Sequence, residues 1–333
     1  MRDERRPTLT DVARRAGVSK SLVSIVMRDE PGAGAETRRR VLEAAEALGY
    51  QPDSRARLLR SGRSRLLGVV FGLQHPFHAD LVTGLYTAAR ETGYELALSA
   101  VTPERDEPEA ITSLLRDRCE ALILLGPRST AAVLARLAAR RPVVVLARSV
   151  RDAAVDVVRT ADARGLHLAV DHLAGLGHRA IAHIDGGRAP GAADRRRGYR
   201  DAMRRHGLSD RMTILPGGLT ESDGAAAART LLTDRPTAVT VFNDRCATGV
   251  LDVLTRAGVG VPGEISVVGY DDSSLARLAH VDLTTVAQDV PSMTRLAVAR
   301  ATDRLEGAPV ARREVVVPPR LVVRGTTGPA YPG

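Results

Sequence analysis

Apolar residues recur at helical spacing twice within DVARRAGVSKSLVSIVMRD, which begins at Asp11. Val12, Ala13 and Ala16 form one apolar face; Val23, Val26 and Met27 form the next. Gly17 stands between them, where a tight turn needs positive φ. Thr8 and Asp11 have capping-box spacing, and Ser19 is a good N-cap for the second run. The pattern predicts two short helices joined by a tight turn. A Pro/Gly loop, RDEPGAGAE, follows, and then a third helix with Val41, Ala44, Ala45 and Leu48 on one face and Gly49 at its C-terminal end. Residues 1–50 thus read as a minimal all-α domain, marginal in stability by itself. The arginine-rich QPDSRARLLRSGRSR after it reads as a linker or a short, weak helix.

From Leu66 the pattern changes. LLGVVF, ALILL, PVVVLA, AVTVF and ISVVG are short, continuous apolar runs, as strands buried on both faces must be. Helical segments lie between them near residues 79–92, 107–118, 130–140, 162–176, 193–206, 222–233 and 245–257. Regular alternation of strand and helix predicts parallel sheets wound on both sides. About nine such units are too many for one comfortable sheet, so two α/β subdomains are expected. A ligand would bind at the carboxyl ends of the strands or in the cleft between subdomains.

Composition narrows the function classes. Aromatic content is 3% with no Trp, which disfavours stacking platforms for single-stranded nucleic acid. No apolar run is long enough to span a bilayer, and the N-terminus is charged rather than signal-like, so a cytoplasmic protein is expected. Cys119 and Cys246 lie far apart and support no disulfide framework. Of the net charge of +9, residues 1–65 hold +6, from 15 Lys+Arg against 9 Asp+Glu. A basic module meeting phosphates, joined to a nearly neutral body, has this charge distribution.

The segment TLTDVARRAGVSKSLVSIV…ETRRRVLEAAEALGYQPDSRARLLRSGRS resembles the headpiece and hinge of the lactose-repressor (LacI/GalR) family of bacterial transcription regulators. HPFHADLVTGL, DHLAGLGHRAIAHIDG, RRRGYRDAM, AVTVFND and ISVVGYDD are weaker family-like signatures in the body. The resemblance implies a helix-turn-helix headpiece (1–50), a hinge (51–64) and a periplasmic-binding-protein-like body. Chain crossovers near residues 160, 289 and 320 would divide that body into 65–160 with 290–319 and 161–289 with 320–333. It further implies a cytoplasmic homodimer that represses a carbohydrate operon and is released from a palindromic double-stranded operator by a sugar-like effector; the sequence does not choose between this and a corepressor acting in the opposite sense, and a body that only dimerises is the alternative.

In a helix-turn-helix the second helix lies in the major groove and its N-terminal residues touch base edges. Lys20, Ser21, Ser24 and Ile25 lie opposite Val23, Val26 and Met27, and the resemblance places Lys20, Ser21 and Ile25 at the main base-reading positions. Many relatives have Arg where Ile25 stands. An apolar side chain can touch a thymine methyl but makes no bidentate guanine contact, so a T·A pair is expected there. Arg28, Thr37 and Arg38 are candidates for phosphate contacts. Ala56 and Leu59 share one face if the hinge becomes helical, and the resemblance makes Leu59 the minor-groove wedge.

On the effector side the resemblance brings Arg195, Asn243 and Asp271 to the cleft, residue types suited to a polyol. Asn243 serves equally well as a helix N-cap. Phe77 and His78 follow the first strand, and His78 departs from a frequent pair of aromatics. Arg148, after PVVVLA, and Gln288, near a crossover, are further candidates. Ala147 stands where some relatives have a sugar-binding acid. His75 and His78 are three apart, but no Cys or His cluster supplies the remaining ligands of a metal site. The chain contains no Walker A loop, GxSxG elbow, GxGxxG fingerprint or HExxH, so neither an enzyme nor a cofactor is expected. Without leucine heptads after the body, a dimer rather than a tetramer is expected.

Overall fold

The computed structural model describes residues 7–27, 29–50, 63–150, 155–310 and 312–330. Arg28, Ala56 and Leu59 lie outside the described residues. The chain divides into two compact units, Met1–Ser64 and Arg65–Gly333.

The first unit holds α1 (Leu9–Ala16), α2 (Lys20–Val26) and α3 (Ala35–Ala47). The Thr8 backbone N–H donates to Asp11 Oδ2 at 2.9 Å, and Ser19 Oγ accepts from the Leu22 N–H at 3.1 Å. These contacts satisfy donors that a helix start leaves free. Gly17 turns the chain with φ +64°. Val12, Val23 and Val41 are fully buried, with Ala13, Ala16, Val26, Ala44 and Ala45 around them. Arg40 donates to the Ala16 carbonyl at 2.8 Å, tying α3 to the end of α1.

The second unit has two lobes, one around each six-stranded sheet. The first lobe carries β1 (Leu66–Gly72), α4 (Pro76–Glu91), β2 (Glu95–Val101), α5 (Glu107–Arg116), β3 (Ala121–Leu125), α6 (Ala131–Ala138), β4 (Val143–Leu146) and β5 (Asp156–Thr160). The chain then enters the second lobe with α7 (Asp162–Gly175), β6 (Ile181–Ile184), α8 (Ala192–Arg205), β7 (Thr213–Leu215), α9 (Glu221–Asp234), β8 (Ala238–Val241), α10 (Asp244–Arg256), β9 (Ser266–Asp271) and β10 (Thr284–Ala287). It returns with α11 (Val290–Leu305) and β11 (Glu314–Val317), and places β12 (Arg320–Val322) in the second sheet.

The first sheet, in order β11-β5-β4-β3-β1-β2, is parallel throughout. The second, β12-β10-β9-β8-β6-β7, is parallel except for β12, which pairs antiparallel to β10. Every residue of β3, β4, β6, β8 and β10 is buried, as helices on both faces require.

The sequence pattern gives no sign of α11. Its core face is Met293, Ala297, Val298 and Ala301, interleaved with the buried threonines Thr294 and Thr302. The small and polar residues mute the apolar period. They also let α4 come close: a Cβ on Gly84 would lie 2.7 Å from Thr294 Oγ1. Gly198 has a similar part in the second lobe, where a Cβ would stand 2.3 Å from the Ala163 carbonyl oxygen. Its absence seats α8 against the start of α7.

Candidate functional site

The seating of α8 brings Arg195 and Asp162 together. Arg195 Nε donates to Asp162 Oδ1 at 2.9 Å and Nη1 to the Phe242 carbonyl at 2.5 Å, and Nη2 lies 3.6 Å from Asp271 Oδ1. Its guanidinium carbon is 3.5 Å from the centroid of the Tyr270 ring and 4.6 Å from that of Phe242. Two aromatic faces and two carboxylates thus fix one buried cation. Burial alone would loosen the Arg195 proton, but the charges of Asp162 and Asp271 outweigh it and the net shift is upward.

Asp271 ends β9 at φ +111°, a conformation that costs a non-glycine residue energy and aims its carboxylate into the cleft. Gln288, just past β10, donates from Nε2 to Asp271 Oδ1 at 2.7 Å, and its Oε1 accepts from Thr160 Oγ1 at 2.6 Å. Below them Asp244 is buried, accepting from Thr285 Oγ1 at 2.6 Å and from the Ser273 N–H at 2.7 Å. Burial raises the pKa of both carboxyls, and the nearby Asp271 charge raises that of Asp244 further.

From the first lobe, His78 Nδ1 accepts the Gly72 N–H at 2.9 Å, which places the ring proton on Nε2. Burial, with His75 alongside, pushes its pKa down to about 3, so the ring is a neutral donor at physiological pH. Burial, then Arg245 and Arg128, also lowers His75.

The cleft between the lobes is lined by Phe77, His78, Arg195, Asn243, Asp271 and Gln288 together. Phe77 belongs mainly to the first lobe's core. Asn243 is the N-cap of α10: Oδ1 accepts the Cys246 N–H at 2.7 Å, and Nδ2 donates to the Leu219 carbonyl at 3.3 Å. Arg148 stands apart from these six. It lines an adjoining outer cavity and bonds the carbonyls of Pro127 and Ser129. Sequence reasoning missed Asp162 and Thr160, which lie in no motif, and passed over Phe242 and Asp244 in AVTVFND and Tyr270 in ISVVGYDD. Only the folded crossovers bring these residues beneath the cleft; a buried acid directly after a crossover strand would have been the one usable signal, for Asp162.

On α2 of the first unit, Lys20 and Ser21 are exposed and Ser24 and Ile25 half-buried. Thr37 is half-buried. Arg38 donates to Asp29 Oδ1 at 2.6 Å and to the Glu30 carbonyl at 2.8 Å, so its guanidinium holds the loop before α3. Among the described residues, no group of three or more His, Cys, Asp or Glu could hold a metal ion.

Residues 8–53 match the family described as bacterial regulatory proteins, lacI family, and residues 170–327 match the periplasmic binding protein-like domain. The HTH-type transcriptional regulator GalR of Salmonella typhimurium is 34% identical over 329 residues, covering 95% of each chain. The crystal structure of a LacI transcriptional regulator from a Rhodococcus species is 54% identical, with TM-score 0.78, covering 80% of this chain and 99% of that one. The lac repressor dimer, solved with operator and the anti-inducer ONPF, is 28% identical, with TM-score 0.83, covering 97% of this chain and 100% of that one. The chain belongs to the lacI family of bacterial regulatory proteins.

Proposed function

We propose that the chain is a sequence-specific repressor which grips a palindromic operator as a homodimer and releases it when a sugar-like polyol enters the cleft. The observation that carries the effector half is the convergence of His78 from one lobe with Arg195, Asp271 and Gln288 from the other side of the crossovers. Fixed donors and a carboxylate acceptor facing one small cleft suit a ligand whose surface is mostly hydroxyl. In this reading Arg195 and Asp271 grip adjacent hydroxyls, His78 donates from Nε2, and Phe77 and Asn243 shape the walls.

The DNA half rests on α2, which presents Lys20, Ser21, Ser24 and Ile25 away from the core of a basic headpiece. Lys20 and the serines suit base edges, and Arg28 and Thr37 suit phosphates. The similar lac repressor was solved as a dimer on its operator with a small ligand bound, which favours the same division of labour here. For release, the effector must bind the DNA-incompetent state more tightly than the competent one. The proposed place of action is the cytoplasm; among the described residues no helix is long and apolar enough to cross a membrane.

The test is selection of binding sites from random DNA by the full-length protein, repeated with a panel of sugars. Enrichment of a palindrome, lost with one sugar, is the expected outcome. Absence of any enriched sequence would overturn the DNA half. A palindrome indifferent to every ligand would overturn the effector half and leave the body a dimerisation module.

A further inference from the structure

The inner cleft, about 90 Å³, opens into an outer cavity of about 620 Å³, and the two share Arg128, Ala189, Pro190 and Leu219. The outer cavity lies at the carboxyl ends of strands from both lobes. Arg128 comes from the loop after β3, Arg148 from the loop after β4, and Arg188 from the loop after β6. Several arginines elsewhere in the body stand beside carboxylates, Arg159 with Glu314, Arg196 with Asp185, Arg304 with Asp156 and Arg324 with Asp272, while others such as Arg141 and Arg179 bond backbone carbonyls. Among the described residues, none of Arg128, Arg148 and Arg188 has a carboxylate within 4.0 Å of its guanidinium.

Two described acids nearby are engaged by other groups. Asp194, in the lining, pairs with Arg197 at 2.8 Å. Glu107, behind the loop, accepts the backbone N–H groups of Arg128 at 2.6 Å and Ser129 at 3.1 Å. Arg148 is anchored on carbonyls, which fix its fork without cancelling its charge. The first turn of α8 also faces this cavity with Ala193 and Asp194. A positive field reaches inward, where Arg245 and Arg128 disfavour protonation of His75 after burial has already done so.

Three cations in one concave site, none of them ion-paired among the described residues, favour an anion from outside. We infer that the effector is an anionic sugar: its hydroxyls lie against Asp271 and Arg195, and a phosphate or carboxylate at its other end lies among Arg128, Arg148 and Arg188. This inference rests on the proposed effector reading and specifies its ligand class. A phosphate and a carboxylate share the chemistry that an arginine fork recognises, and the test separates them.

Ribose, ribose 5-phosphate and ribonate, with glucose, glucose 6-phosphate and gluconate, would be titrated into the full-length protein by calorimetry. The expected result is that one anionic member binds at least tenfold more tightly than its neutral parent, with an advantage that shrinks as salt is raised. Whether the phosphate or the acid wins identifies the anion. Both Arg128 and Arg188 are exposed, so Arg128→Gln with Arg188→Gln is expected to keep the thermal midpoint while bringing the anionic probe down to the affinity of its parent. Equal affinity of parent and anion in the wild type would overturn the inference and leave a neutral-sugar effector standing. An anion preference untouched by the double variant would overturn the assignment to these arginines. Failure of all six probes to bind would count against the anionic class and against the sugar reading together.

Discussion

Gln288 donates to Asp271 at 2.7 Å, and this contact joins the cleft floor to the path by which the chain changes lobes. The same amide accepts from Thr160 at the end of β5, the last residue of the strand before the first crossover. An effector that draws the Asp271 carboxylate therefore acts on a side chain bonded to both lobes. Gln288→Ala removes both bonds. Hydrogen bonds to a charged group contribute about 1.5–3 kcal/mol, so effector affinity should fall at least tenfold while operator affinity without effector holds. Effector titration and an operator-binding assay on one preparation check this; an unchanged effector affinity would show that Gln288 is only a spacer.

Arg195 is the central cation of the second lobe. Arg195→Ala would leave Asp162 and Asp271 buried without their counter-charge, which costs about 3–5 kcal/mol for a buried pair. The variant should denature at clearly lower urea, and the loss should be much smaller when Asp162→Asn is added. Additive losses in the double variant would contradict direct coupling of the two residues. Arg195→Lys should fold but bind effector poorly, because an ammonium cannot make the fork while lying between two rings.

The buried pair Asp244 and Asp271 predicts a pH dependence with a definite sign. Burial raises both folded pKa values above the unfolded value of about 3.9. The native state therefore keeps protons that the unfolded chain has lost, and stability falls as pH rises from about 4 through the folded values. Above that window these groups add no further slope. Asp244→Asn copies the protonated form: its amide can donate to Thr285 Oγ1 and its carbonyl accept from the Ser273 N–H. The thermal midpoint of the variant should therefore depend less on pH between 5 and 8 than that of the wild type. Parallel profiles would show that Asp244 does not titrate in that range.

Much of this fold is legible from the sequence because it is written in local terms. Runs such as ALILL and PVVVLA have to be strands buried on both faces, and Thr8, Asp11, Gly17 and Ser19 mark the headpiece turns. What escapes is what depends on small residues or on distance along the chain. The helix Val290–Leu305 hides its period behind alanine and threonine. Asn243 can be read as a cap or as a cleft residue, and it lines the cleft while capping α10. Asp162 and Thr160 carry no motif, and nothing in ISVVGYDD marks Tyr270 as a ring for a cation; they matter because the fold places them against Arg195 and Gln288. Arg38 looks like any exposed helix arginine until Asp29 and Glu30 fold back onto it.

Ile25 gives the DNA reading its sharpest consequence. It is half-buried, and a Cβ on Gly32 would lie 3.8 Å from its Cγ2, so part of the side chain covers the loop before α3. What remains outside is apolar and suits a thymine methyl. The selected operator should carry T·A opposite Ile25, and Ile25→Arg should move the preference to G·C by about 1–3 kcal/mol. An invariant G·C facing the wild-type residue would remove Ile25 from the base-reading set.

Lys20 is the only lysine in the 333 residues, and it stands exposed at the first position of α2. An amine-selective acetylating reagent therefore has one side-chain target, besides the α-amino group. Acetylation cancels the charge and removes the ammonium that would donate to guanine O6 and N7. Complete modification should abolish specific operator binding, and bound operator should protect Lys20 from the reagent. Effector binding should be unaffected, because the body contains no lysine. Lys20→Arg separates the two amines: it keeps a charged donor that the reagent spares, so its operator binding should survive treatment. If acetylated wild-type protein selects the same operator with the same affinity, Lys20 does not read the bases, and recognition passes to Ser21, Ser24 and Ile25.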